Sequence, residues 1–191
     1  MRIVAGRLKG RTLKGPVGAG VRPTSDGLRE TLFNVLGDQV DGARVLDGCA
    51  GTGAVGLEAI SRGATHATFV ENDRAALAVI RQNIGAFGVD ADCEVIPTDI
   101  VTFGQRGPAV GPFDVVFLDP PYDEPAIDAM LTSVARWVSP GGVLVLEHSK
   151  RRASPEQAGV LVRSRILKAG DSALSFYGHR PHADTMKTNS L

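Results

Sequence analysis

Long apolar runs are missing from this 191-residue chain: no stretch approaches the ~18 residues needed to span a bilayer. The N-terminus carries no signal-peptide pattern, so a cytoplasmic protein without a membrane partner is expected. Cysteine is scarce too. Cys49 and Cys93 stand far apart, and His179 and His182 merely flank Pro181, so neither a disulfide framework nor a metal site is expected. Internal repeats are absent. Net charge is absent as well, with 21 Lys and Arg against 21 Asp and Glu. At this length the chain holds one sizeable core with room for a small appendage, and no extra apolar face argues against a monomer.

The balanced charge hides an uneven distribution. Six basic residues, Arg2, Arg7, Lys9, Arg11, Lys14 and Arg22, precede the first acidic one, Asp26, which leaves 15 basic against 21 acidic residues beyond them. A basic arm on an acidic body points to a polyanionic partner, and these six are its candidate contacts. Met1–Ala5 and Arg11–Lys14 read as strands around the turn Gly6–Gly10, a basic hairpin within an extension at 1–20. The main domain then occupies 21–180, and the polar tail 181–191 is expected to be flexible.

Within that domain, a helix is expected from Ser25 to Gly37, carrying Leu28, Leu32, Val35 and Leu36 on one face, with Thr24 or Ser25 as its N-cap. Near-continuous apolar runs at Arg44–Asp47, His66–Glu71, Cys93–Ile96, Asp114–Asp119 and Gly142–Glu147 read as doubly covered strands. They alternate with helical patterns at Ala54–Arg62, Arg74–Phe87 (capped by Asp73) and Pro125–Val138. Val160–Leu167 and Ala173–Tyr177 close the pattern as a hairpin. The expectation is an α/β, doubly wound Rossmann-like sheet of seven strands, the last hairpin antiparallel, with helices on both faces.

Two segments carry chemistry. Val45–Asp47 leads into Gly48-Cys49-Ala50-Gly51-Thr52-Gly53 and on to a helix, the strand, glycine turn and helix arrangement at which open α/β sheets bind ligands. Gly51-x-Gly53-x-x-Gly56 also satisfies the dinucleotide fingerprint, with Glu71 at the distance of a ribose-binding carboxylate, so glycine spacing alone admits both NAD and S-adenosylmethionine. A carboxylate at Asp47 would repel a pyrophosphate and suits the ammonium of a methionine moiety. The second segment favours methyl transfer too, because hydride transfer has no use for it. Asp119-Pro120-Pro121-Tyr122 follows the apolar run Val115–Leu118 and combines a carboxylate, a carbonyl between two prolines that lack N–H donors, and an aromatic ring. Such a turn grips a planar amino group, as on a nucleobase. Cys49 reads as a small side chain in the glycine loop, His148 as a loop residue or one facing the cleft, and Trp137 as packing.

These motifs resemble those of class I S-adenosylmethionine-dependent methyltransferases, and their order resembles bacterial 16S rRNA guanine-N2 methyltransferases of the RsmD type. The likeness spans nearly the whole chain. It includes Arg2–Gly6 with Lys9-Gly10-Arg11, Arg22–Asp26 with Arg29–Asn34, the glycine loop, Asp119–Tyr122 and Gly170–Tyr177. The resemblance implies that Asp47, Gly48, Ala50, Gly51, Thr52 and Gly53 hold the methionine end of the cofactor, Glu71 the ribose, and Asn72, Asp99 and Ile100 the adenine. Thr24 or Ser25 would touch the methionine carboxylate. Asp119, Pro120, Pro121 and Tyr122 would be catalytic and need no metal. The implied substrate is guanine 966 of 16S rRNA within the small ribosomal subunit, with ribosomal proteins supplying part of the recognition surface. A DNA adenine-N6 methyltransferase and a non-catalytic, cofactor-binding ribosome assembly factor are the alternatives.

Overall fold

In the computed structural model, which describes residues 1–15, 26–107, 109 and 111–180, five apolar runs lie side by side as parallel strands. They are β1 (Arg44–Gly48), β2 (His66–Glu71), β3 (Cys93–Pro97), β4 (Phe113–Leu118) and β5 (Val138–Ser149). Three antiparallel strands, β6 (Gln157–Ala158), β7 (Leu161–Ala169) and β8 (Ser172–His179), extend the sheet in the order β3-β2-β1-β4-β5-β8-β7-β6. The α/β architecture is the expected one, with an eighth strand where the sequence pattern predicts seven. Two residues of β6 are too few to register as an alternation.

Strand periodicity divides the core in two. Val45, Phe69, Val115, Phe117 and Val145 face α1 (Asp26–Leu36), α2 (Ala54–Ser61) and α3 (Arg74–Phe87). Leu46, Val70, Val116, Leu118, Leu144 and Leu146 face α4 (Ile100–Arg106) and α5 (Ile127–Ala135). Helix α3 starts where the Asp73 side chain accepts from Ala76 N at 2.8 Å and ends at left-handed Gly88, which needs no Cβ there. Helix α4 has no counterpart in the sequence reading. Its 7 residues are too few for a periodic signal, and Asp99, its N-cap, reads equally well as a ligand contact.

The N-terminal segment differs most from expectation. Instead of two ladder strands, a single bridge joins Arg2 to Thr12, and the segment lies against the body with Ile3, Leu8 and Leu13 buried in the α1–α3 core. Gly6, at φ +80°, makes this approach possible: a Cβ there would fall 1.8 Å from the Ser61 carbonyl oxygen. Glu58 of α2 is the anchor. Its fully buried carboxylate accepts from Val4 N at 2.8 Å, Ala5 N at 2.9 Å, Arg62 Nε at 2.8 Å and Arg29 Nε at 3.4 Å. Arg29, itself buried in α1, also donates to Asp26 and to the Arg2 carbonyl, so α1, α2 and the N-terminus meet at one charged knot. Residues 16–25, among them Arg22, Thr24 and Ser25, and the tail 181–191 lie outside the described residues.

Candidate active site

Strands β1 and β4 are neighbours in the middle of the sheet, and the register pairs Gly48 with Leu118, so both chemical motifs leave the sheet at the same edge. Asp119 N donates to the Gly48 carbonyl at 3.4 Å. The chain leaves β1 for α2 on one face and β4 for α5 on the other, the divergence at which open α/β sheets form ligand crevices.

The glycine loop is tightly wound, with Cys49 at φ 60°, Gly51 at 56° and Gly53 at 75°, all left-handed. A Cβ on Gly51 would meet nothing within 4 Å, which leaves its outer side open as a cradle. A Cβ on Gly48 would lie 2.5 Å from Leu118 and 2.9 Å from Ile100, so Gly48 serves close packing of the two motifs. Ala50 N donates to the Val70 carbonyl at 3.1 Å, and Asn83 Nδ2 to the carbonyl of buried Thr52 at 3.0 Å. Asp47 is buried, its Oδ2 accepting from Gly56 N at 2.8 Å; burial pushes its carboxyl up to about 7, with the hydrogen bond opposing and the Glu71 charge adding. Glu71 Oε2 accepts from Gly51 N at 2.9 Å, and Oε1 from Asn72 N at 2.8 Å and Asp73 N at 2.9 Å. Any ligand hydroxyl reaching Glu71 would share its carboxylate with these three backbone amides. Cys49 reports the local field: burial pushes its thiol up to about 12, reinforced by the charges of Glu71, Asp119, Asp47 and Glu124. It stays a thiol, in keeping with a packing role, and four carboxylates converge on the crevice. The open cradle and this donor set fit a cofactor with cationic groups and a diol.

Asn72 and Asp99 are exposed beside the crevice, while Ile100 is buried behind the glycine loop. Asp99 Oδ1 accepts from Thr102 N at 2.9 Å, and hydrogen bonds from Thr102 hold its carboxyl below the usual range. Arg2, Arg7, Lys9, Arg11 and Lys14 are all exposed, yet two are engaged by the body. Arg7 pairs with Asp92 at 2.8 Å, and Arg11 donates to the Phe87 carbonyl at 3.1 Å while its guanidinium lies 4.7 Å from the Phe87 ring centroid. His148 is buried within β5, with Nε2 2.8 Å from Ser175 Oγ and Nδ1 2.9 Å from the Ser149 carbonyl, and desolvation lowers its pKa. Trp137 packs as expected, donating to the Gly104 carbonyl at 2.9 Å.

Sequence reasoning missed the supports of Tyr122. Pro120 is buried and Pro121 exposed, and between them and α5 the half-buried Tyr122 directs its hydroxyl to Ser172 Oγ at 2.5 Å and Glu147 Oε1 at 3.4 Å. Ser172 Oγ in turn donates to Glu147 Oε1 at 3.2 Å. Arg152 Nη1 donates to the Glu124 carbonyl at 2.6 Å and the Tyr122 carbonyl at 3.4 Å, clamping the turn from outside. A carboxylate buried at the end of an apolar strand, as Glu147 is, was the available signal. Removing only the hydroxyl, by Tyr122→Phe, keeps the ring and loosens its orientation. The expected result is a turnover number lower by roughly 3–10-fold, with no further loss when Ser172→Ala is added, read from a double-mutant cycle.

The family described as "Conserved hypothetical protein 95" matches residues 1–178. Among curated relatives, Ribosomal RNA small subunit methyltransferase D of Escherichia coli is 32% identical over 93% of this chain and 89% of its own. Its namesake in Haemophilus influenzae is 36% identical over 78% of this chain and 79% of its own. The chain belongs to this methyltransferase family. A solved structure of a Thermus thermophilus hypothetical protein superposes with a TM-score of 0.80 at 31% identity, covering 94% of this family member and 99% of that chain.

Proposed function

We propose that this family member transfers a methyl group from S-adenosylmethionine to the exocyclic N2 amine of a guanine in small-subunit rRNA, guanine 966 being the family position, on an assembled or partly assembled subunit. The observation that carries this reading is the junction of the Asp119–Tyr122 turn with the glycine loop, closed by the Asp119 N to Gly48 O bond of 3.4 Å. An amine gripped by the turn lies beside whatever the loop holds. The names of the relatives, rRNA methyltransferases over nearly this whole length, support RNA as the polymer.

When bound, the cofactor supplies an activated methyl group on a sulfonium. Asp47, Gly48, Ala50, Gly51, Thr52 and Gly53 would hold its methionine end, Glu71 the ribose, and Asn72, Asp99 and Ile100 the adenine; Thr24 and Ser25 complete the proposed set. The guanine N2 lone pair is delocalised into the ring, so catalysis consists of localising and aiming it. The Asp119 carboxylate and the Pro120 carbonyl accept the two amine hydrogens and stabilise the positive charge that develops there. Tyr122 stacks on the base, its plane set by Glu147 and Ser172. Asp119 need not remove a proton before attack, since the amine becomes acidic only once alkylated. A base paired in a helix cannot enter, so the target is unpaired or flipped.

Labelled S-adenosylmethionine incubated with small subunits lacking the modification, free 16S rRNA and DNA tests the reading. Label at guanine N2 in the rRNA is expected. Label confined to DNA, or none, sinks it.

Asp47 makes the cofactor site pH-dependent. With its carboxyl raised from 3.8 to about 7, the folded state holds this proton more tightly than the unfolded one. The group's contribution to stability is therefore present below 3.8 and is lost as the pH rises through about 7. A cationic ligand favours the ionised form. Cofactor affinity should thus rise with pH through about 7 and binding should release protons below it. Calorimetry in buffers of different ionisation enthalpy reads this directly, and Asp47→Asn should flatten the profile.

A further inference from the structure

The segment Lys150–Asp171 carries Lys150, Arg151, Arg152, Arg163, Arg165 and Lys168 against only Glu156 and Asp171, in a chain of zero net charge. The fold gathers these charges at the site. Ser149, the last residue of β5, pairs with Ser172 of β8, which pairs in turn with Ala169 of β7, and Lys150 N donates to the Asp171 carbonyl at 3.0 Å. Lys150, Arg151 and Lys168 therefore lie beside the tip of the β7–β8 hairpin, and further back on β7 Arg165 stands on the sheet face of Ser172 while Lys168 stands on the opposite one, so the cations flank the edge on both faces. That tip touches the proposed base-binding ring, since Ser172 Oγ lies 2.5 Å from the Tyr122 hydroxyl. Arg152 stands on the carbonyls of Tyr122 and Glu124 and makes no ion pair with any described carboxylate.

Carboxylates neutralise little of this rim. Lys150 pairs with Asp171 at 3.0 Å and Arg163 with Glu156 at 3.9 Å. Arg151, Arg165 and Lys168 are exposed and make no ion pair with any described residue. In the N-terminal segment, by contrast, Arg7 and Arg11 are committed to Asp92 and Phe87.

We infer that this hairpin-tip rim, with Arg151, Arg152, Arg165 and Lys168 as its active charges, holds the sugar–phosphate backbone of the substrate RNA on either side of the target nucleotide. The inference rests on the proposed function and deepens it. A nucleobase on Tyr122 is covalently tethered to its own backbone, so its flanking phosphates must pass the rim of the site. On this edge of the site the rim is cationic. Charged residues on the open edge of β7 also discourage strand pairing between molecules, a purely protective role that predicts no effect on RNA.

The test is the salt dependence of binding to unmethylated 16S rRNA, with methylation kinetics alongside, for the double variant Arg151→Gln/Lys168→Gln. Both residues are exposed and make no ion pair among the described residues, so the fold is retained, which a denaturant titration checks. The slope of log affinity against log salt should become shallower by ~0.7–0.9 per residue removed. KM for RNA should rise, with kcat at saturating RNA and cofactor affinity unchanged. An active variant with wild-type slope and KM overturns the assignment in favour of edge protection. An unchanged slope on naked rRNA with a raised KM on assembled subunits also overturns it, placing an acidic protein on the rim. Failure of the wild type to methylate any RNA removes the functional reading instead, a distinct outcome.

Discussion

Replacing Asp119 by alanine should lower kcat for methyl transfer on the order of 10²–10³-fold while cofactor affinity persists, the scale of losing one preorganised polar partner of a developing charge, if Asp119 acts as proposed. Asp119 sits one residue past β4, half-buried, its N–H on the Gly48 carbonyl. Its backbone is therefore fixed by the sheet, and truncating the side chain leaves the turn in place. Its carboxylate is close enough to add to the field that, after burial, raises the Cys49 thiol. Asp119→Asn keeps the shape and one acceptor but not the charge, and so should lose less than the alanine variant. Single-turnover methylation with pre-bound cofactor separates the chemical step from binding. Near-normal turnover of the alanine variant would refute the role.

Replacing Glu58 by alanine should cost about 3–5 kcal/mol of stability, the penalty of stripping one partner from a buried ion pair. Four donors converge on that carboxylate: the backbone amides of Val4 and Ala5, Arg62, and Arg29, which is itself fully buried. Without it, Arg29 keeps Asp26 and the Arg2 carbonyl but loses its buried counter-charge, and two amides lose their acceptors. The N-terminal segment should then detach, drawing Ile3, Leu8 and Leu13 out of the core. Urea titration measures the loss, and accelerated hydrogen exchange confined to residues 1–15 locates it. A change in unfolding midpoint no larger than that of an ordinary surface substitution would show that the knot is not an anchor. The same anchoring alters how the N-terminal basic residues can be probed. Deleting residues 1–14 would remove core side chains together with charges, so their proposed RNA contacts are better tested by single substitutions at Arg2 and Lys9, which are exposed.

Much of this was legible beforehand because it is local. Helix α3 and strand β2 have the expected boundaries, since Asp73, Gly88 and an unbroken apolar run mark them within a few residues. Helix α5, expected over Pro125–Val138, is shorter at Ile127–Ala135, ending in a turn at Arg136 and Trp137 before β5 opens at Val138. The Glu124 carboxylate accepting from Ala126 N at 2.8 Å and the clamp by Arg152 hold its N-terminal side in a turn. Asp99, which the resemblance assigns to the adenine, also caps helix α4, and that cap shows only in the folded backbone.

Apolar period, caps and glycine turns act over a few residues, so seven of the eight strands, four of the five α-helices and the two motifs at strand ends follow from local sequence. Tertiary structure decided what those motifs are surrounded by. The convergence of Asp47, Glu71, Asp119 and Glu124, the tether of Tyr122 to Ser172 and Glu147, the commitment of Arg7 and Arg11 to the body, and the basic rim at the hairpin tip all join residues distant in the chain. Strand order brings the crevice and the hairpin tip together, docking of the N-terminal segment on α2 commits Arg7 and Arg11, and burial raises the Asp47 carboxyl and the Cys49 thiol.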